Sequence, residues 1–392
     1  MADLVIARMG ERGDGLAGGK AYPRTLPGEV IDEGGEVLQA SPERVDPFCP
    51  VFETCGGCKT QHWRDEPYRA WKISLLTDAL QARGLSAAVQ PLIDAHGEGR
   101  RRVAMHVRKV DGRWRAGFME AGTHRLVPLD TCPILVPRLH NAPQIAASLG
   151  ELFGNCDVSI TLAENGLDIS IKAERKLADK AAAQFAPFMK THAVARVAVN
   201  GETMAQTQVP FVTIGKARVN LTIGGFLQAT QKGEETLAQL LQEQIRKEKN
   251  VADLFCGIGS FALRLAGNVA VTAIDSDKPA IASLQNTLRN TQGLKPVKAE
   301  VRDLFRNPLT TMELADFDLV ILDPPRAGAE EQCKWLAKSK VKRVLYVSCD
   351  PQSFARDAAV LTASGYKLGT ITPVDQFKYS PHLELVAAFR RT

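Results

Sequence analysis

The sequence predicts an α/β protein whose C-terminal part is a doubly wound, mainly parallel sheet, preceded by an α+β region and a short β module. Three observations carry this. From about residue 231, short apolar runs at 251–255, 269–274, 297–301, 319–322, 341–347, 366–373 and 383–389 alternate with helical stretches. That is the rhythm of βα units on a parallel sheet. Residues 100–135 instead alternate polar and apolar around an Asp111-Gly112 turn, and Asn165-Gly166 separates two similar runs, 158–162 and 167–171. Both are hairpin patterns. Residues 1–47 are rich in Gly and Pro, with short β-like pieces at 4–8, 29–31 and 36–39.

In chain order, residues 1–47 form the β module and residues 48–62 a cysteine-dense loop. A central α+β unit runs from 63 to 225, with helices expected near 67–83, 137–150 and 174–190. The α/β unit occupies 226–392. No internal repeat or low-complexity segment is present. The chain has 392 residues, 45% hydrophobic and 24% charged, ordinary for a soluble globular protein of two or three domains. With no run of eighteen apolar residues and no basic-then-apolar start, it is expected to be cytoplasmic and to have no membrane partner. Nothing in it calls for an obligate protein partner. Net charge is +5, but residues 99–115 alone hold seven Lys/Arg against one Asp. A polyanionic partner explains that concentration; a solvated hairpin face is the alternative.

Eight cysteines in a cytoplasmic chain argue for metal binding or catalysis over disulfides. Cys49, Cys55 and Cys58 are spaced as ligands, and Cys132, on a Cys-Pro turn, completes a four-thiolate set. On physical grounds zinc and an iron–sulfur cluster fit such a set equally. His62 reads as a surface residue rather than a ligand.

The α/β unit carries two motifs. Asp253–Ser260 closes a strand and opens a helix with two glycines, so the backbone can approach a ligand closely, and Phe255 is placed to flank an adenine or ribose. Asp275 ends the next strand 22 positions after Asp253, where a carboxylate binds ribose hydroxyls. The loop is shorter than a dinucleotide fingerprint and lacks the Lys-Ser/Thr of a P-loop, which favours S-adenosylmethionine. Asp303 follows the third strand, placed for an adenine edge. Asp323, in an Asp-Pro-Pro loop, ends the fourth. The second motif puts Cys349 where a strand stops and a helix starts, with Asp350 as N-cap and Pro351 at the first helical position. A helix N-terminus favours the thiolate, the attacking form. Glu384, in the last strand, offers a candidate base.

Together, Gly225–Gln228, Asp253–Ser260, Asp323–Gly328, Ser348–Pro351 with Ala355–Asp357, and Pro373–Phe377 with His382–Glu384 resemble the RNA 5-methyluridine methyltransferases. The likeness is strongest to bacterial enzymes that modify 23S ribosomal RNA and carry an iron–sulfur cluster, and it extends to Cys49–Cys58 and Cys132-Pro133. It implies a Rossmann-like class I methyltransferase domain, with Cys349 as nucleophile and Glu384 as general base. Gln228, Phe255, Ser260, Asp275, Asp303 and Asp323 would surround S-adenosylmethionine, and Cys49, Cys55, Cys58 and Cys132 would hold a [4Fe–4S] cluster. The implied partner is RNA, expected to be 23S ribosomal RNA. Two departures stand out. Thr230 occupies a position where the family commonly has Asn, and the N-terminal β module is shorter than the usual RNA-binding barrel.

Rival chemistries lack their residues. Cytosine-5 methylation needs a cysteine in the Asp323-Pro-Pro-Arg326 loop, and adenine-N6 methylation an aromatic residue after the prolines. The alternatives kept are a transfer RNA uracil-54 methyltransferase, whose relatives generally lack the cysteine set, and a non-catalytic iron–sulfur RNA-binding protein. In the implied RNA interface, residues 99–115 and the β module grip phosphates, and Trp63 or Trp114 either stacks on bases or belongs to the core.

Overall fold

The computed structural model of the protein describes residues 3–174 and 182–391. Its C-terminal unit is built on an eight-stranded sheet. The order is Val297–Val301, Ala270–Asp275, Asn250–Leu254, Leu319–Leu322, Arg343–Ser348, Glu384–Arg390, Lys367–Asp375, Ile93–Asp94. The strands from Val297–Val301 to Arg343–Ser348 are parallel, whereas Glu384–Arg390 is antiparallel to both its neighbours. Every strand expected after residue 231 forms, within a residue or two of its expected bounds. The central strand Leu319–Leu322 is apolar throughout and fully buried, as helices on both sheet faces require. One face packs on the helices Gln231–Gln244 and Lys278–Asn290, the other on Glu330–Lys338 and Pro351–Ala363.

Packing crosses the expected boundaries at 63 and 225. The helix Asp65–Gln81 sets Leu76, Ala79 and Leu80 into the same core as Phe354 and Leu361 of Pro351–Ala363. Ile93–Asp94 pairs with the end of Lys367–Asp375, covering a sheet edge that would otherwise expose unpaired backbone groups. The hairpin Phe211–Ile214/Ala217–Asn220 buries Val212, Ile214 and Val219 with Leu284. The methyltransferase-like unit thus recruits chain from both ends of the segment read as central.

What remains central is a seven-stranded sheet running from Arg102–Val110 to Glu202–Gln206 in the chain. The Asp111-Gly112 turn forms with positive φ at both residues, 48° and 78°, as a tight hairpin needs. The helix expected at 137–150 is broken into Pro137–Leu139, Ala142–Ser148 and Gly150–Phe153. At Gly150 an added Cβ would lie 2.5 Å from the Trp114 ring, so the break is where that ring packs. Of the stretch expected helical at 174–190, residues 175–181 lie outside the described residues and Ala182–Thr191 is helical. The N-terminal β module forms two three-stranded sheets. No helix among the described residues is long and apolar enough to cross a membrane.

Candidate active site

Adjacent strands of the parallel sheet end in the candidate residues. Asp275 closes Ala270–Asp275, Phe255 follows Leu254, Asp323 follows Leu322 and Cys349 follows Ser348. Asp303 comes two residues after Val301. Ligands of such sheets bind at this carboxyl edge. Glu384 reaches the same edge because its strand runs the other way. Ser348 is registered opposite Leu385, so the next residue of each strand, Cys349 on one and Glu384 on the other, emerges side by side.

On the cofactor side, Phe255 has φ +66°, an outlier for a bulky residue, and is held there by its N–H donating to the Ile274 carbonyl at 2.8 Å. Its ring meets Phe305 at 5.4 Å between centroids. Gly257, at φ +54°, opens onto free space: an added Cβ would meet nothing within 4 Å. Asp275 accepts the Gly257 N–H and the Asp277 N–H, each at 2.8 Å, which fixes the carboxylate and leaves lone pairs for a ligand. Asp303 accepts the N–H groups of Phe305 and Arg306 at 3.0 and 3.2 Å. Ser260 is half-buried just ahead of the short helix Ala262–Leu265. Asp253 is fully buried, accepts the Ala262 N–H at 2.9 Å and is pushed up to about 7 by burial.

On the catalytic side, Asp350 caps the helix by accepting the Ser353 N–H at 2.8 Å, with Pro351 in the first turn, as expected. At Cys349 the helix N-terminus is opposed by its surroundings. Cys349 is half-buried, and burial together with Glu384 and Asp323 pushes its thiol up to about 12, against the pull of Arg326. A helix terminus is worth about 0.3–2 kcal/mol, too little to outweigh burial beside two carboxylates.

Glu384 is only 4% exposed, and burial raises its carboxyl to about 7, opposed by a hydrogen bond from Gln376 and by the charges of Lys72 and Arg326. The fully buried Gln376 donates from one amide nitrogen to Glu384 Oε1 at 3.0 Å and to Gln228 Oε1 at 2.7 Å. This brings Gln228, which lies far from Glu384 in sequence, to the same cluster. Sequence analysis gives Gln376 no role of its own, although it lies inside the Pro373–Phe377 stretch that carries the family resemblance. Thr230 has a structural role, since its hydroxyl accepts the Gly233 N–H and donates to the Ala95 carbonyl.

Asp323 is raised by burial and by Glu384, Asp253 and Asp275. Its loop is fastened from below. The buried Asp357 accepts the Ala329 N–H and the Tyr346 hydroxyl, each at 2.6 Å. Gly328, at φ +76°, leaves no room for a side chain, since an added Cβ would stand 2.6 Å from Arg356 and Asp357 atoms.

Cys132, remote in sequence, packs in the same apolar cluster as Cys58. Burial pushes Cys58 up to about 11 and Cys132 to about 12. Gly57 N–H points at Cys55 Sγ, 3.4 Å away, and Gly56 admits no Cβ because the Met119 carbonyl lies at 2.7 Å. Among the described residues, no three His, Cys, Asp or Glu side chains form a group able to hold a single metal ion. His62 is not a surface residue. It is fully buried against Phe52, with both ring nitrogens unpartnered and its pKa lowered to about 4 by burial.

The basic stretch divides. Arg101 is buried and pairs with Glu234, Arg102 donates to the Leu227 carbonyl, and Arg108 pairs with Asp157. These join protein to protein. Lys109, Arg113 and Arg115 stay exposed on the hairpin. Trp63 is core, packed with Trp71 and hydrogen-bonded to Glu43, and Trp114 packs on Gly150.

The model of the tRNA (uracil-5-)-methyltransferase family matches residues 224–391. An RNA methyltransferase of Caulobacter vibrioides is 44% identical over 416 residues, spanning 100% of both chains. The 23S rRNA (uracil(1939)-C(5))-methyltransferase RlmD of Shewanella sediminis is 30% identical over 369 residues, 89% of this chain and 83% of that one. In fold, the chain is similar to the Pyrococcus abyssi tRNA (uracil-54, C5)-methyltransferase solved with S-adenosyl-L-homocysteine, at TM-score 0.78, 20% identity and 99% coverage of both chains. With a class I methyltransferase sheet and relatives of this identity over nearly its whole length, the chain belongs to the RNA uracil-5-methyltransferase family and is an S-adenosylmethionine-dependent enzyme.

Proposed function

We propose that the protein methylates C5 of a uridine in 23S ribosomal RNA, with Cys349 as nucleophile and Glu384 as general base. The observation that carries this reading is the registered pair at one sheet edge: a thiol and a buried carboxyl raised to about 7, side by side. C5 of uracil is too weak a nucleophile to take a methyl group unaided. Addition of the Cys349 thiolate to C6 pushes the ring electrons onto C5 and the O4 carbonyl. C5 then forms its bond to the methyl carbon as the methyl–sulfur bond breaks. Glu384 removes the C5 proton, the C5–C6 double bond returns, and Cys349 leaves as thiolate. One thiol and one carboxylate so divide a hard substitution into easier steps. When bound, the cofactor would supply an electrophilic methyl on a sulfonium, held by the Gly257 loop, Asp275 and the Phe255–Phe305 pair.

The cradle fits S-adenosylmethionine: free space above Gly257, the fixed Asp275 carboxylate, and the Phe255–Phe305 pair beside Asp303. Asp275→Ala is expected to weaken S-adenosylmethionine binding by about 1–3 kcal/mol, since a charge-assisted bond to ribose is lost. RNA affinity should hardly change. An unaltered cofactor dissociation constant in calorimetry would take Asp275 out of the site.

Four thiolates suit zinc or an iron–sulfur cluster alike, and the resemblance carried by Cys49, Cys55, Cys58 and Cys132 favours a [4Fe–4S] cluster. Binding would displace the protons that burial holds on Cys55, Cys58 and Cys132. Methyl transfer moves no electrons, so the cluster serves as a brace. Its loop touches the base-bearing loop, with the Lys59 N–H donating to the Tyr379 carbonyl at 2.7 Å and Phe48 meeting the Tyr379 ring. Anaerobically purified protein should be brown and contain iron; stoichiometric zinc without iron would refute the cluster.

The identity with RlmD supports ribosomal RNA as the substrate, and Lys109, Arg113 and Arg115 with the short β module offer phosphate contacts. The likeness to the uracil-54 enzyme rests on fold alone. The deciding experiment maps 5-methyluridine in ribosomal and transfer RNA of a deletion strain. Loss of one site in 23S RNA is expected; loss confined to transfer RNA would overturn the substrate assignment.

A further inference from the structure

Lys72 is fully buried on the helix Asp65–Gln81, with no solvent for its ammonium. Burying such a charge is unfavourable unless every proton finds an acceptor. Here each does. Nζ lies 3.1 Å from Asp375 Oδ1 and donates to the carbonyls of Ser380, at 2.9 Å, and His382. Asp375 is the residue where the chain enters the loop before Glu384, and Ser380 and His382 are where it leaves. One ammonium therefore clasps both limbs of the segment that ends in Glu384. Tyr68, one helical turn earlier, completes the clasp by donating to Asp375 Oδ2 at 2.5 Å and accepting the Tyr379 N–H at 3.1 Å. Gln376, inside the clasped segment, is the donor to Glu384.

We propose that Lys72 is a positioning residue for proton abstraction: it holds the loop Gln376–Leu383 so that Glu384 faces the reacting carbon. The inference rests on the reading of Glu384 as the base. Groups bearing on Glu384 come from every neighbouring element: Lys72 from the helix, Arg326 and Asp323 from the Asp-Pro-Pro loop, and Cys349 from the strand end. Gln376 contacts it from its own loop, and Arg100 faces Lys72. The positive charge of Lys72 lowers the carboxyl pKa, so its removal raises it, and the base then ionises only at higher pH.

The test compares wild-type and Lys72→Met full-length protein on 23S RNA transcripts containing uridine or 5-fluorouridine. On fluorinated RNA the adduct through Cys349 forms and persists without a base, because C5 then carries fluorine and methyl and no proton. Lys72→Met is expected to trap fluorinated RNA as the wild type does. On uridine RNA its turnover should fall by about 10²-fold, the scale of a misplaced catalytic group, with covalent RNA accumulating and the acid limb of the rate profile moving to higher pH. Wild-type turnover in a folded variant, or parallel loss of trapping and turnover, would overturn the assignment. If Lys72→Met does not fold, Tyr68→Phe, which leaves no buried charge unpaired, is read by the same measurements. Wild-type protein that neither traps nor methylates would instead overturn the reading of Glu384 and Cys349, and this inference with it.

Discussion

Cys349→Ala is expected to lose methyl transfer by a factor on the order of 10⁵–10⁶, the scale of removing a covalent nucleophile. No other thiol can replace it. Cys333 is fully buried beneath the sheet, and Cys256 is buried behind Phe255, with burial raising both far above the usual thiol range. The substitution removes one half-buried sulfur and leaves the Asp350 cap and the strand pairing intact, so fold and cofactor affinity should be kept. Transfer of labelled methyl groups and trapping on 5-fluorouridine RNA are the two measurements. Both should vanish together. A variant that still turns over within about tenfold of wild type, a barrier change of only about 1.4 kcal/mol, would exclude covalent catalysis at Cys349.

Glu384→Gln should behave differently. The amide keeps the shape of the carboxylate and an oxygen for the Gln376 donor, yet it cannot accept a proton. Addition and methyl transfer remain possible, and elimination does not. Methylated RNA should stay joined to Cys349 as a slow band on a denaturing gel, with turnover down by about 10²–10⁴-fold, the usual contribution of a general base. In the wild-type enzyme the base must be ionised, so turnover should rise with pH as the Glu384 carboxyl, held near 7 by burial, loses its proton. That limb should be missing from the residual activity of Glu384→Gln. Unslowed turnover without adduct would remove Glu384 from the mechanism.

Most of the candidate site was legible because α/β sheets put function at strand ends. Asp275, Asp303, Asp323 and Cys349 each sit at or just beyond the close of an apolar run, and apolar runs are visible in a sequence. Three features were not. Helix Asp65–Gln81 and strand Ile93–Asp94 read locally as part of the central unit; only the exposed sheet edge and the apolar face of Pro351–Ala363 decide that they belong to the C-terminal one. The polar residues holding the catalytic loops, Asp357, Gln376 and Lys72, act through partners remote in sequence, and no local pattern marks such a partner. The arginines at 100–102 count as free charge in a sequence, whereas in the fold Arg101 is consumed by Glu234 and Arg102 by a backbone carbonyl.

The fold class and the succession of apolar strands in the C-terminal unit could be read from the chain, because each is a matter of residue type at a spacing. Only the fold shows the balance of forces on Cys349. A helix N-terminus favours its thiolate, while burial and the neighbouring Glu384 and Asp323 oppose it. Charge is set by all neighbours in three dimensions, and at this sheet edge those neighbours come from strands separated by tens of residues.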